Sequence, residues 1–224
     1  MRLFPLLLFC WPLLAQQTIF DVPSGDVSGK KEWFFQHQTV SRTWRPDRRW
    51  IQSNAVGYGV GHSLELDFTW FNVERGFVHE SSPSVGFKWS PRLNSTDSAI
   101  PLRFVAGEMI QMRASDPHAG HWTYLMLNAE LPKSHTQLTG GYTAGSSALF
   151  GRRSQGVLMG VEQHLNERWM FQADWFSGKH DLSYLIPGIV YRASDHWMIS
   201  LGYQIPNRGF NGFGAVVFEL TRFP

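Results

Sequence analysis

His79-Glu80-Ser81 puts an imidazole base and a hydroxyl two residues apart, a spacing that serves nucleophilic catalysis when both side chains share one face of a strand. By composition, residues 75–83 read as a loop that closes on Pro83, so His79 and Ser81 are candidates and no more is assigned to them. A second group repeats at alternate positions through the chain: Glu65, Asp67, Glu162, Gln172, Asp174 and Glu219, set against Lys88, Arg103 and Arg168. A wall of such residues with a carboxylate excess selects for cations or sugars; the same charges, paired across a narrow interior, simply fill it. Arginines form a third group: Arg42, Arg45, Arg48 and Arg49, then Arg152 and Arg153, then Arg208, with Trp44 and Trp50 interleaved. Guanidinium forks suit phosphate geometry. Finally, His118 and His121 with Asp116 make a minimal metal set, yet histidines in loops are mostly solvated, so no metal and no cofactor is assigned. The sequence has no phosphate-binding glycine loop, no paired-cysteine zinc pattern and no serine elbow; Gly145-Ser146-Ser147 fits none of these.

The elements that must position these groups are strands. In Ser63–Trp70, Leu64, Leu66, Phe68 and Trp70 alternate with Glu65, Asp67 and Thr69, the period of two that gives one apolar and one polar face. The unit recurs, predicting about twelve strands near 32–42, 53–61, 63–74, 84–90, 100–113, 121–131, 136–145, 155–165, 168–178, 182–192, 196–205 and 212–223. Connections after even strands are tight, as at Gly61-His62 and Asn166-Glu167, except for the link Pro91 to Ala99. Those after odd strands are mostly longer. Trp33, Trp70, Trp89, Trp122, Trp169, Trp175 and Trp197 fall near strand ends, where a bilayer interface favours amphipathic rings. The opposite face carries Gly57, Gly59, Gly61, Gly86, Gly160 and Gly202 along with the charges, which suits a narrow polar lumen. By parity Glu108 falls on the apolar face with Leu102, Phe104, Ala106 and Ile110, so a bulge at Gly107 is expected to turn it inward.

Composition agrees with this reading. The chain has 224 residues, with 15% aromatics and 17% charged residues, the latter low against roughly 25% in soluble domains. A net charge of +2 gives no global field for nucleic acid. Residues 1–15 have the pattern of a cleaved signal peptide: Arg2, an apolar run from Leu3 to Leu14, and the small Ala15. The single cysteine, Cys10, lies within it, so a mature chain would hold no disulfide. Residues 16–31 then form a periplasmic lead-in and 32–224 the strands.

Leader, alternation, loop parity and aromatic strand ends together resemble the broad class of bacterial outer-membrane β-barrel channels, across nearly all of the mature chain. The resemblance implies an all-β, antiparallel transmembrane barrel with short periplasmic turns and longer extracellular loops. It further implies an outer-membrane location with lipid and lipopolysaccharide as partners, the latter facing Arg42, Arg45, Arg48, Arg49, Arg152 and Arg153. Such barrels usually end on an aromatic; here Phe223 is penultimate, behind Pro224. His79-Glu80-Ser81 separately resembles the motif of outer-membrane phospholipase A and the lipid A deacylase, although those continue with Asn where Ser82 and Pro83 stand here. The expected function is therefore a small passive channel for small polar solutes or cations, and the protein is not expected to be an enzyme. The alternatives are a lipid hydrolase using His79 and Ser81, and a plugged barrel that binds lipopolysaccharide through its basic loops.

Overall fold

The computed structural model describes residues 18–42, 48–76, 78–113, 116–151, 154–207 and 214–224. Twelve strands, each antiparallel to its neighbours, close into a barrel in sequence order. They are β1 (Trp33–Arg42), β2 (Arg49–Gly61), β3 (Leu64–Arg75), β4 (Val78–Trp89), β5 (Leu102–Arg113), β6 (Asp116–Leu131), β7 (Thr136–Gly145), β8 (Gln155–His164), β9 (Trp169–Phe176), β10 (Tyr184–Arg192), β11 (Trp197–Pro206) and β12 (Ala215–Arg222). One short helix, α1 (Ser147–Phe150), sits between β7 and β8. β12 pairs with β1 to close the ring, from Phe35 opposite Arg222 to Ser41 opposite Val216. Across this seam the Arg222 guanidinium lies over the Trp33 ring at 5.2 Å and the Trp197 ring at 5.9 Å.

Alternation decides which side chains enter the barrel. Glu65 is 0% exposed while its neighbour Leu66 is 49% exposed, and the outward row continues through Phe68 and Trp70. Val56, Tyr58, Val85, Phe87, Leu125, Leu127, Leu201 and Tyr203 extend it into an apolar belt. A belt of that kind in water would be a large exposed hydrophobic surface; in lipid it is the ordinary outer face of a barrel.

Three strands start earlier than their sequence suggests. β2 begins at Arg49, β4 at Val78 and β6 at Asp116, so the loops after β3 and β5 shrink to residues 76–77 and 114–115. The length assigned to those loops is instead strand that runs on past the apolar belt, where no lipid imposes the alternation that marks strands below. Pro83 fits because β4 pairs with β5 only from Ser84 onward, leaving Val78–Pro83 an edge, and an edge tolerates a proline. The expected bulge at Gly107 is also absent. Gly86–Met109, Phe87–Glu108 and Lys88–Gly107 pair in unbroken register, and the irregularity falls between Gln111 and Arg113.

The interior is filled from the N-terminal side of β1. Residues 18–28 run inside the barrel, with Ile19, Phe20 and Val22 at 0–2% exposure forming part of one apolar cluster with Val105, Met126, Ile186 and Val217, and residues 29–32 are exposed. The lumenal glycines make room for this plug. A Cβ on Gly202 would stand 2.6 Å from the Phe20 ring, and one on Gly160 would collide with Ile19. We expect Gly202→Leu to leave the barrel closed, seen as retained heat-modifiable migration on gels. The same variant should raise amide exchange across residues 18–28, and unchanged exchange there would mean that the glycine is not what seats the plug.

Candidate functional site

A backbone threaded through a barrel leaves its N–H and C=O groups away from bulk water, and each needs a partner. The lumenal carboxylates and amides supply them. Asp174 on β9 accepts with one oxygen from three successive N–H groups, Phe20 at 3.0 Å, Asp21 at 2.7 Å and Val22 at 2.7 Å. Gln172 donates to the Ile19 carbonyl at 2.6 Å. Gln38 donates to the Phe20 carbonyl at 3.2 Å and also bridges the Asp21 and Glu219 carboxylates. On the opposite wall, Glu65 accepts the Ser28 N–H at 2.7 Å and faces Lys88 at 3.6 Å, both side chains almost fully buried. The Ser90 hydroxyl donates to the Gly25 carbonyl; the Lys31 N–H donates to the Gly59 carbonyl and the Gly59 N–H to the Glu32 carbonyl.

The lumen residues read from sequence are therefore where alternation puts them. Glu65, Asp67, Lys88, Arg103, Glu162, Gln172, Asp174 and Glu219 all belong to inward-facing positions. Of these, Asp174, Gln172 and Glu65 bond to the plug's backbone. Two spaces flank the plug. One, of about 340 Å³, opens toward the long-loop end above Thr18–Asp21. The other, of about 120 Å³, lies beside the plug near Glu65, Asp67 and Lys88.

Other residues depart from their expected places. Trp122 is not part of the aromatic girdle: it faces inward, packing on Tyr124 and Phe176, because even positions of β6 point into the lumen. Trp33, Trp70, Trp89, Trp169 and Trp197 are exposed on the outer wall, and Trp175 lies there half-buried. Arg42 is not a loop arginine facing outward; it is 8% exposed on β1 and donates to the Tyr184 hydroxyl at 2.8 Å. Arg49 opposes it on β2 and lines the same cavity, while Arg48 is exposed; Arg45, Arg152, Arg153 and Arg208 lie outside the described residues. Glu108 stays on the outer wall, 3.9 Å from His121. Asp116, His118 and His121 all belong to strand β6 and not to a loop.

On the outer wall the strand β4 brings together a cluster that sequence reasoning found only in part. His79 and Ser81 lie on one strand, with Glu74 and Asn72 directly opposite them on β3. His79 Nδ1 approaches Glu74 at 3.7 Å, and the Ser81 hydroxyl donates to the Asn72 carbonyl oxygen at 2.8 Å. Trp70 donates to the same oxygen at 3.2 Å, which ties the cluster to an interfacial tryptophan. Glu74 and Asn72 were legible only through the cross-strand register, which the loop reading of 75–83 hid.

A closed antiparallel sheet of twelve strands with an outward apolar belt is the bacterial outer-membrane β-barrel fold. No protein-family model matches the chain, and no curated protein matches its sequence. Among solved structures, it is similar to outer membrane phospholipase A from Escherichia coli, with a TM-score of 0.50 at 10% identity, over 87% of this chain and 90% of that one. An active-site mutant of that enzyme gives 0.50 at 8% over the same shares. The translocator domain of autotransporter NalP from Neisseria meningitidis gives 0.41 at 14%, over 88% of each chain. At these identities the likeness is one of fold.

Removing the Asp174 carboxylate leaves three buried donors without an acceptor, at about 1–3 kcal/mol each. Asp174→Ala is expected to abolish exchange protection of the amides of residues 20–22, with Asp174→Asn intermediate because it keeps one acceptor. Protection that survives in the alanine variant would show that the apolar contacts alone hold the segment.

Proposed function

We propose that the protein is a plugged barrel of the bacterial outer membrane, which works by binding at its outer side and not by passing solutes. The observation that carries this reading is the single Asp174 carboxylate holding three consecutive backbone N–H groups of the plug. Displacing the plug would strip those donors and expose Ile19, Phe20 and Val22, which a passive pore has no means of driving. Arg48, exposed beside Trp50, offers a phosphate-rich lipopolysaccharide surface a guanidinium at the rim. The test is planar-bilayer conductance. The chain from Thr18 onward should be silent, and a chain starting at Glu32 should give discrete steps. Steps from the longer chain would return the passive-channel reading, with the space beside Glu65, Asp67 and Lys88 as the route for small cations.

One observation favours a second reading, hydrolysis of a lipid ester. His79 with Glu74 at Nδ1 leaves Nε2 directed elsewhere, the arrangement in which an acid orients an imidazole that serves a hydroxyl. Ser81 is on the same face, and Trp70 anchors the group at the level of lipid headgroups. For catalysis the Ser81 hydroxyl must leave Asn72 and turn to His79. Outer membrane phospholipase A, whose fold this chain shares, supports the reading by analogy only. Fatty-acid release from phospholipid vesicles by the refolded protein is expected to disappear in Ser81→Ala and to fall about 10- to 100-fold in Glu74→Gln. No release from folded, inserted protein would end this reading without touching the plug.

A further inference from the structure

The cavity above the plug is built unlike a water-filled vestibule. Its floor is Thr18–Asp21, so a ligand seated in it presupposes the plugged reading. Its walls carry an apolar stripe of Val40, Ile51, Phe71, Val73 and Phe176 beside the polar Gln36, Ser53, Thr69 and Gln111, and it opens toward the long-loop end. At the mouth stand two arginines in direct cross-strand register, Arg42 on β1 and Arg49 on β2. Like charges placed opposite each other on a sheet repel. Arg42 is also nearly buried, and among the described residues its hydrogen-bond partner is the neutral hydroxyl of Tyr184. A guanidinium held in an apolar wall against a neutral acceptor keeps most of its five donors for something else. Asp181 stands at the same rim on the connection between β9 and β10, and Asp21 with Gln38 and Gln204 makes the floor polar. The mouth therefore carries Arg42, Arg49 and Asp181, with an apolar stripe along Ile51, Phe71 and Val73 between it and the polar floor.

We propose that this outer cavity binds a small amphiphile with one oxyanion, the head held by the Arg42 guanidinium at the mouth beside Arg49 and the apolar body lying along Ile51, Phe71 and Val73. The volume of about 340 Å³ falls at the lower end of small-molecule sites, which limits the ligand to a short acyl chain or a compact ring body. A carboxylate and a phosphate monoester suit the Arg42 guanidinium fork equally well. The two sources are separable by experiment.

Native mass spectrometry of the refolded chain from Thr18 onward, with decanoate, decyl phosphate or the neutral decanamide, tests the proposal. One-to-one adducts are expected with at least one of the two anions. Binding of decanoate alone would assign a carboxylate ligand, and of decyl phosphate alone a phosphate ester. Decanamide, and the Arg42→Gln/Arg49→Gln double variant with either anion, should bind about tenfold more weakly. Val73→Trp fills the cavity and should abolish the adduct while heat-modifiable migration shows that the barrel still closes. The proposal is overturned if neither anion forms an adduct, if decanamide binds as well as the anions, or if the adduct persists in Val73→Trp. Conductance of the same preparation separates the two possible failures. Absent adducts with discrete conductance steps would retire the plugged reading, and absent adducts with a silent bilayer would retire the ligand alone.

Discussion

Everything inside this barrel is arranged around the need of an irregular backbone for hydrogen-bond partners where water is scarce. A strand satisfies its neighbours through the ladder; residues 18–28 have no ladder, so wall side chains must substitute for one. Asp174 replaces three ladder acceptors at once, Gln172 and Gln38 supply donors to the Ile19 and Phe20 carbonyls, and Glu65 closes the far end at Ser28. Asp174 and Glu65 act as backbone acceptors first, while Glu219 accepts from the Gln38 side chain. Glu65 is also set against a cation, Lys88, at 3.6 Å. The glycines on the same face follow from the same constraint, since Gly160, Gly188 and Gly202 stand where Ile19 and Phe20 press against the wall.

That constraint also explains how much could be read from the sequence. Alternation in β3 and β11 is enforced by lipid on one side and a polar interior on the other, so strand number and facing were legible, down to the inward parity of Glu65 and Glu219. Past the apolar belt neither solvent is present in pure form, and the signal fades. β4 looked like loop as far as Pro83 for this reason, and with it went the pairing of His79 to Glu74 and of Ser81 to Asn72. The plug was illegible for a different reason. Ile19, Phe20 and Val22 give no period, and their partners lie about 150 residues away in the chain, as the 152–154-residue separations to Asp174 show. Trp122 was misassigned because an aromatic at a strand end reads the same on either face. Glu108 departs from the expected bulge because the register runs unbroken through Gly107 and keeps the carboxylate outside beside His121.

Two surfaces thus remain available for chemistry, and they are independent. The outer wall at β3 and β4 presents an imidazole, a hydroxyl, a carboxylate and an amide above an interfacial indole. The outer cavity presents Arg42 and Arg49 at its mouth and an apolar stripe along its wall. The barrel wall separates them, because Ser81 and Asn72 occupy outward positions while Phe71 and Val73 on the same β3 point inward.

The position of the seam bears on how such a molecule can be put together. The plug is contiguous with β1, one lip of the closure, while β12, the other lip, is the last strand of the chain. Its contacts reach β3, β9 and the β10–β11 pair, so they spread around the circumference and do not sit beside β1 alone. A finished ring would have to be entered from one end by a segment carrying Ile19, Phe20 and Val22. It is simpler for the sheet to curl about a segment already lying on it and for Arg222 to latch over Trp33 and Trp197 once the wrap is complete. The N-terminal segment is then a mandrel, and the circumference it imposes is part of what makes the twelfth strand meet the first.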